Sequence, residues 1–168
     1  ASMGGSDIWL KEGETMSVND LIKATVIMSA NDAAVVLAEH VYGTEDEFVK
    51  QMNIRAKQLG MNDTTFKNCN GLDEDGHLTT AHDVALMSAE LIKHEKIFDY
   101  TLTWMDYVRD GETQLVNTNK LIRSYKGITG LKTGTTSQAG SCISATAKRD
   151  NLSLVAVVLG CSTTDERF

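Results

Sequence analysis

The chain has 168 residues, 42% of them hydrophobic and 23% charged, an ordinary composition for one soluble globular unit long enough to bury a core. A net charge of −7 with no run of Lys or Arg argues against a nucleic-acid surface, which needs clustered cations. No apolar stretch approaches the roughly 20 residues of a membrane span, and residues 1–5 carry neither half of a signal peptide, although a secreted parent with its leader removed would look the same.

With no proline present, Gly and the Asn/Asp clusters do the punctuation. Ile8-Trp9-Leu10 reads as a short strand, followed by a turn at Lys11-Glu12-Gly13-Glu14. Ser17-Val18-Asn19-Asp20 opens a helix: the hydroxyl caps free amides, Asp20 lies near the positive end of the dipole, and Leu21, Ile22, Thr25 and Met28 form its apolar face. Ser29-Ala30-Asn31-Asp32 breaks that pattern with short polar residues. Residues 33–41 resume it, with Ala33, Val36, Leu37 and Val41 on one side. Thr44-Glu45-Asp46-Glu47 is a second capping box, for a helix burying Phe48, Met52 and Leu59 and stopping at Gly60.

Residues 61–78, rich in Asn, Asp and Gly, read as an ordered loop. Thr80-Ala81-His82-Asp83 begins another helix with Val84, Met87 and Leu91 inward. Asp110-Gly111 predicts a hairpin between 105–109 and 113–116. In the final third, 130–133 leads into strands at 141–147 and 152–159, joined by a turn at 148–151 and forming an antiparallel hairpin near the middle of a sheet. Trp9 and Trp104 are expected in the core or at its edge. The widely spaced Cys69, Cys142 and Cys161, with no CxxC pair, read as buried free thiols rather than a disulfide framework or a zinc site.

Two short motifs carry chemistry. Ser29-Ala30-Asn31 is S-x-N on the break between helices, and Lys132-Thr133-Gly134 is K-T-G on a strand. Together with S-x-x-K they are the signature of β-lactamases and penicillin-binding proteins. Their surroundings resemble the serine D-Ala-D-Ala carboxypeptidases, the low-molecular-mass penicillin-binding proteins, over almost the whole length. The matching stretches are Gly4-Gly5-Ser6 with Ile8-Trp9-Leu10, Ser29-Ala30-Asn31-Asp32-Ala33-Ala34, Phe66-Lys67-Asn68 with Asn70-Gly71-Leu72-Asp73, Asn117-Thr118-Asn119-Lys120-Leu121, and Gly130-Leu131-Lys132-Thr133-Gly134-Thr135-Thr136 continuing to Ala139-Gly140.

The resemblance implies an α+β, β-lactamase/transpeptidase-like fold, a helical region followed by antiparallel sheet strands, with residues 1–168 forming a partial penicillin-binding domain incomplete at both ends. It implies removal of the terminal D-Ala of peptidoglycan stem peptides through an acyl-enzyme, β-lactam antibiotics as inhibitors, no cofactor or metal, and a place in the cell envelope outside the cytoplasm. Any membrane attachment would come through segments absent here. By the same resemblance Ser29 and Lys132 form a proton relay to the leaving group, Asn31 orients the nucleophile's surroundings, and the Thr135 N–H is an oxyanion donor. Gly134 leaves room for substrate backbone, while the Thr133 hydroxyl and Arg167 hold the terminal carboxylate.

One departure dominates: no Ser has a Lys three positions on. In the family S-x-x-K lies upstream of the point where this chain begins, so the chain is expected to be part of a longer protein and unable by itself to form an acyl-enzyme. Blander readings accompany each motif. Ser29 and Asn31 serve equally as helix caps, Lys132 as a solvated strand residue, and Asp73, Asp75, Gly76 and His77 as a polar turn lacking the ligands of a calcium loop. His40 and His82 read as surface or packing residues. Two rival functions remain: a class A-like β-lactamase, opposed by Ala30 where those enzymes usually carry Asp and by the lack of a Glu-containing loop, and a non-catalytic binding or scaffold module.

Overall fold

A computed structural model describes residues 3–168. Helices lie between Val18 and Thr101, and antiparallel strands with one short helix follow. The first helix, α1 (Val18–Lys23), starts at Ser17, whose Oγ accepts the Asp20 N–H at 3.0 Å. It runs into a π-helical turn, Ala24–Met28. The inward set differs from the expected Leu21, Ile22, Thr25 and Met28: Ile22, Thr25 and Met28 are only partly buried, and the buried residues fall at every third position, Leu21, Ala24, Ile27 and Ala30. They form one core with Ile8, Ala33, Val108 and Leu115.

After the break, α2 (Asn31–Tyr42) buries Asp32, Ala33 and Ala38, and α3 (Glu45–Gln58) begins where the Thr44 hydroxyl accepts the Glu47 N–H. On α2 the expected inward residues Val36 and Val41 are exposed, Val41 by 59%; its close contacts use small alanines, which let helices approach. On α3 only Ala56 is fully buried, while Phe48, Met52 and Leu59 line a shallow apolar hollow with Met61 and Phe66. The loop 61–78 is ordered by a bridge between Thr65 and Leu78 and by Asn53, which bonds both backbone groups of Phe66.

The fourth helix, α4 (Ala81–Leu91), is capped by Thr80 and buries Asp83 and Ser88, whereas Met87 and Leu91, expected inward, are exposed. Here polar pairing sets the inner face: Ser88 Oγ lies 2.7 Å from Ser144 Oγ across to the sheet. A short helix α5 (Phe98–Thr101) precedes the hairpin of β1 (Met105–Val108) and β2 (Thr113–Val116), paired antiparallel as expected. Then come α6 (Leu121–Ser124) and the sheet β3 (Ile128–Thr136), β4 (Gly140–Arg149) and β5 (Leu152–Cys161), in the order β3-β4-β5. In that sheet β4 is central and β5 lies at the edge among the described residues.

Residues 8–10 are not a strand. The N–H groups of Ile8 and Leu10 donate instead to the two carboxylate oxygens of buried Asp32, at 3.1 and 2.9 Å, and Arg109 donates to the Ile8 carbonyl at 2.7 Å. Trp9 between them has φ 59° and is 66% exposed, against the expectation of a core position, while Trp104 is half-buried under Arg123. All three cysteines are free and half-buried. No helix among the described residues is long and apolar enough to cross a membrane.

Candidate active site

The polar break between the helices has an unusual backbone. The π-helical turn ends with Ser29 in the left-handed region (φ 67°), and the Ala30 N–H reaches back to the Ala24 carbonyl at 3.0 Å. A non-glycine residue there is strained. It turns the Ser29 hydroxyl toward β3, where Lys132 Nζ donates to Ser29 Oγ at 2.7 Å, across 103 residues of sequence, and to the Thr133 carbonyl at 2.9 Å. Burial pushes the Lys132 ammonium down to a pKa of about 8, with the positive charge of Arg167 adding to the shift. Lys132 is therefore not a solvated strand residue, and Ser29 is not a helix cap by its side chain.

Asn31 begins α2, but its side chain does not cap that helix. Its Nδ2 donates to the Gly4 carbonyl at 2.6 Å, and its backbone N–H to the Ser6 carbonyl at 2.7 Å. A Cβ on Gly5 would stand 2.9 Å from Asn31 Nδ2, at a φ of 70°, so a glycine is needed for the segment to lie this close. Beneath, Asp32 accepts from Ile8, Leu10 and Ala33 while its own N–H donates to Asp7, fixing the segment before the break against the helix after it.

Along β3 the side chains alternate. Thr133 is only 7% exposed and its hydroxyl is 2.6 Å from that of Thr118, so an incoming carboxylate would meet a pair of hydroxyls. Gly134 has open space where a Cβ would stand. Arg167 reaches back from the end of the chain, Nη1 donating to the Gly134 carbonyl at 3.1 Å and to Thr135 Oγ1 at 2.9 Å; its Nε is buried without a partner among the described residues.

Ser29, Asn31, Lys132, Thr133, Gly134, Thr135 and Arg167 all line one cleft of about 850 Å³. Its opposite wall is the loop through Asn70, Leu72, Asp73, Glu74 and His77. Burial lowers the His77 pKa, opposed by the carboxylate of Glu74. Asp73 is used within the protein, accepting from Ser137 Oγ at 2.6 Å and the Gln138 N–H at 3.2 Å, and no cluster of three or more metal-ligating side chains exists among the described residues. His40 is exposed, and His82 is exposed beside Asp83. Thr118, Asp73 and Cys142 also line the cleft without having been singled out as site residues. Thr118 stands inside a motif stretch, and Asp73 both inside one and in the polar turn weighed against a calcium loop.

The family model for peptidase S11, D-alanyl-D-alanine carboxypeptidase, matches residues 1–163. The chain belongs to this carboxypeptidase family. It is 49% identical to the D-alanyl-D-alanine carboxypeptidase DacF of Bacillus subtilis over 99% of its own length and 44% of that protein's. With DacC of Escherichia coli the identity is 38%, over all of this chain and 42% of the relative. The chain thus spans less than half the length of these relatives. Among solved structures, penicillin-binding protein D2 of Listeria monocytogenes in its cefotaxime-bound form superposes with a TM-score of 0.89 at 37% identity, covering 99% of this chain and 68% of that one. Penicillin-binding protein 5 of Haemophilus influenzae gives 0.91 at 32%, covering 98% and 48%. The fold, helices followed by antiparallel strands, is that of the transpeptidase-like penicillin-binding proteins.

Proposed function

We propose that residues 1–168 are the part of a penicillin-binding domain that supplies the proton relay and the substrate-binding strand of a serine-type D-Ala-D-Ala carboxypeptidase. Its substrate is a peptidoglycan stem peptide ending in D-Ala-D-Ala, β-lactams are its inhibitors, and it acts in the cell envelope. The observation that carries this reading is the 2.7 Å bond between Lys132 Nζ and Ser29 Oγ at the cleft. Desolvating a lysine ammonium is costly, and a scaffold module gains nothing from it. A relay that must hold a proton and release it near neutral pH gains a group poised at about 8.

In this reading a Ser from an S-x-x-K segment outside these residues attacks the penultimate D-Ala carbonyl, its hydroxyl proton passing to the Lys of that segment. The oxyanion that forms meets the Thr135 N–H. As the C–N bond breaks, Ser29 Oγ gives its proton to the departing D-Ala nitrogen and takes one from Lys132 Nζ. The substrate's terminal carboxylate lies between Arg167 and the Thr118–Thr133 hydroxyls. Cleft cations at Lys132 and Arg167 favour an anionic chain end over an internal peptide. Water then hydrolyses the acyl-enzyme.

The test is intact mass after incubation with benzylpenicillin. This chain should gain nothing, while a version extended upstream to include S-x-x-K should gain one penicilloyl group. An adduct on the chain itself would make one of its own residues the nucleophile, with Ser29 the first suspect. No adduct on either would leave a non-catalytic module, and rapid turnover of penicillin would indicate a β-lactamase.

A further inference from the structure

The two walls of the cleft come from distant parts of the sequence, and one carboxylate joins them. The loop 61–78 is stiff in itself: Thr65 pairs with Leu78, Asn68 accepts the Gly71 N–H and donates to the Leu72 carbonyl, and Asn53 holds Phe66. From it Asp73 reaches across to the turn between β3 and β4, 64 residues away, where it accepts from Ser137 Oγ at 2.6 Å and from the Gln138 N–H at 3.2 Å. The next N–H in that turn, from Ala139, donates to Thr136 Oγ1 at 2.9 Å. The successive donors of the turn are therefore held by Thr136 from within and by Asp73 from the opposite wall.

This turn continues the strand that carries Lys132, Gly134 and Thr135. We infer that Asp73 is a positioning residue: by latching the loop to the β3–β4 turn, it sets where the Thr135 N–H and the Gly134 strand edge stand relative to Ser29. The inference rests on the reading of the cleft as a carboxypeptidase site. A hydroxyl and a backbone amide donating to one carboxylate form charge-assisted bonds of defined direction. An oxyanion donor must be placed to within a fraction of an ångström to act. The donors also hold the Asp73 carboxyl below the usual carboxylate range, the Ser137 hydroxyl most and the Thr136 hydroxyl next. The latch thus persists at neutral pH and weakens only as pH falls through that lowered value.

The test uses the version extended upstream to include S-x-x-K, read by hydrogen exchange over residues 134–139 and by benzylpenicillin acylation resolved into binding and chemical steps. Asp73→Ala should speed exchange in 134–139 while leaving that of residues 152–161 unchanged. It should slow the acylation step about tenfold, with the noncovalent dissociation constant within about twofold, since the loss falls on the donor used in the transition state. Asp73→Asn, which keeps one acceptor oxygen, should recover part of the rate. Ser137→Ala added to Asp73→Ala should cost nothing further, because the two act through one contact. An Asp73→Ala protein that acylates at the unaltered rate overturns the inference. So does one that loses rate with exchange over 134–139 unchanged, or a double variant whose losses multiply. If the unsubstituted protein takes up no penicillin, the carboxypeptidase reading fails instead, and the exchange arm alone decides whether Asp73 holds the turn.

Discussion

Lys132 is held where its charged form is disfavoured, and replacing it by Met exposes the size of that cost. Its pKa falls from 10.5 to about 8, first through burial and then through Arg167. A lysine whose folded pKa is depressed destabilises the fold fully below the folded value, because the unfolded chain binds the proton more tightly. The penalty fades as pH rises from about 8 toward 10.5. With about 1.36 kcal/mol per pKa unit, it amounts to about 3 kcal/mol at pH 7 and falls to about 1 kcal/mol at pH 10. Lys132→Met keeps the length of the stem and removes the titration. The Met variant also loses the Nζ bonds to Ser29 and Thr133, so the pH dependence of the difference, rather than the absolute stability, isolates the charge. Urea unfolding of both proteins from pH 7 to pH 10 should show the unsubstituted chain gaining about 2.5 kcal/mol relative to the Met variant over that range. A difference that stays constant with pH would mean that Lys132 is solvated, and the relay assigned to it would lose its physical basis.

Substitutions at three further positions test the frame around the site. Asp32→Ala strands the N–H groups of Ile8 and Leu10 and should cost about 3 kcal/mol, seen as a melting temperature lower by roughly 6–12 °C; a drop of under about 2 °C would refute the role given to Asp32. Gly130→Ala would place a Cβ 2.7 Å from that of Thr101 at φ 137° and should cost about 3 kcal/mol or more. A melting curve matching the unsubstituted chain would show that α5 and β3 are less closely packed than the structure has them. Ser29→Gly should stabilise the chain by roughly 1 kcal/mol through release of left-handed strain, whereas Ser29→Ala should not, and both should impair acylation in the extended protein. Equal stability of the Gly and Ala variants would argue that the strain is absent.

The sequence is legible where chemistry is local. Ser17, Thr44 and Thr80 are caps because a hydroxyl at that position can reach the N–H three residues on, and each does so. Asp110-Gly111 makes its hairpin for the same reason, the left-handed φ of Asp110 being held within the turn. Burial is less legible, since it depends on what a face meets. Val36, Val41, Met87 and Leu91 have the spacing of an inner face, yet alanines and the polar residues Asp32, Asp83 and Ser88 take the close contacts. Trp9, large and apolar, is left outside because Asp32 and Arg109 hold the backbone on either side of it.

The same division runs through the site. Ser29 and Lys132 stand out as sequence because S-x-N and K-T-G are short, contiguous patterns. What the patterns cannot show is how a serine at the end of a helix comes to face a strand a hundred residues later. The helix ends in a π-helical turn at Ala24–Met28. Ser29 then takes up a left-handed conformation that restarts the helix at Asn31. Strain of about 1–2 kcal/mol at a non-glycine residue and a half-buried, desolvated ammonium beside it are two destabilising features in direct contact. Each is tolerable because Asp32 and the core at Ala24, Ile27 and Ala30 over-determine the break from beneath. Their coincidence on one hydrogen bond is what separates Ser29 from the caps Ser17, Thr44 and Thr80. Those hydroxyls serve the helix that follows them, whereas that of Ser29 is turned to Lys132 and the open cleft.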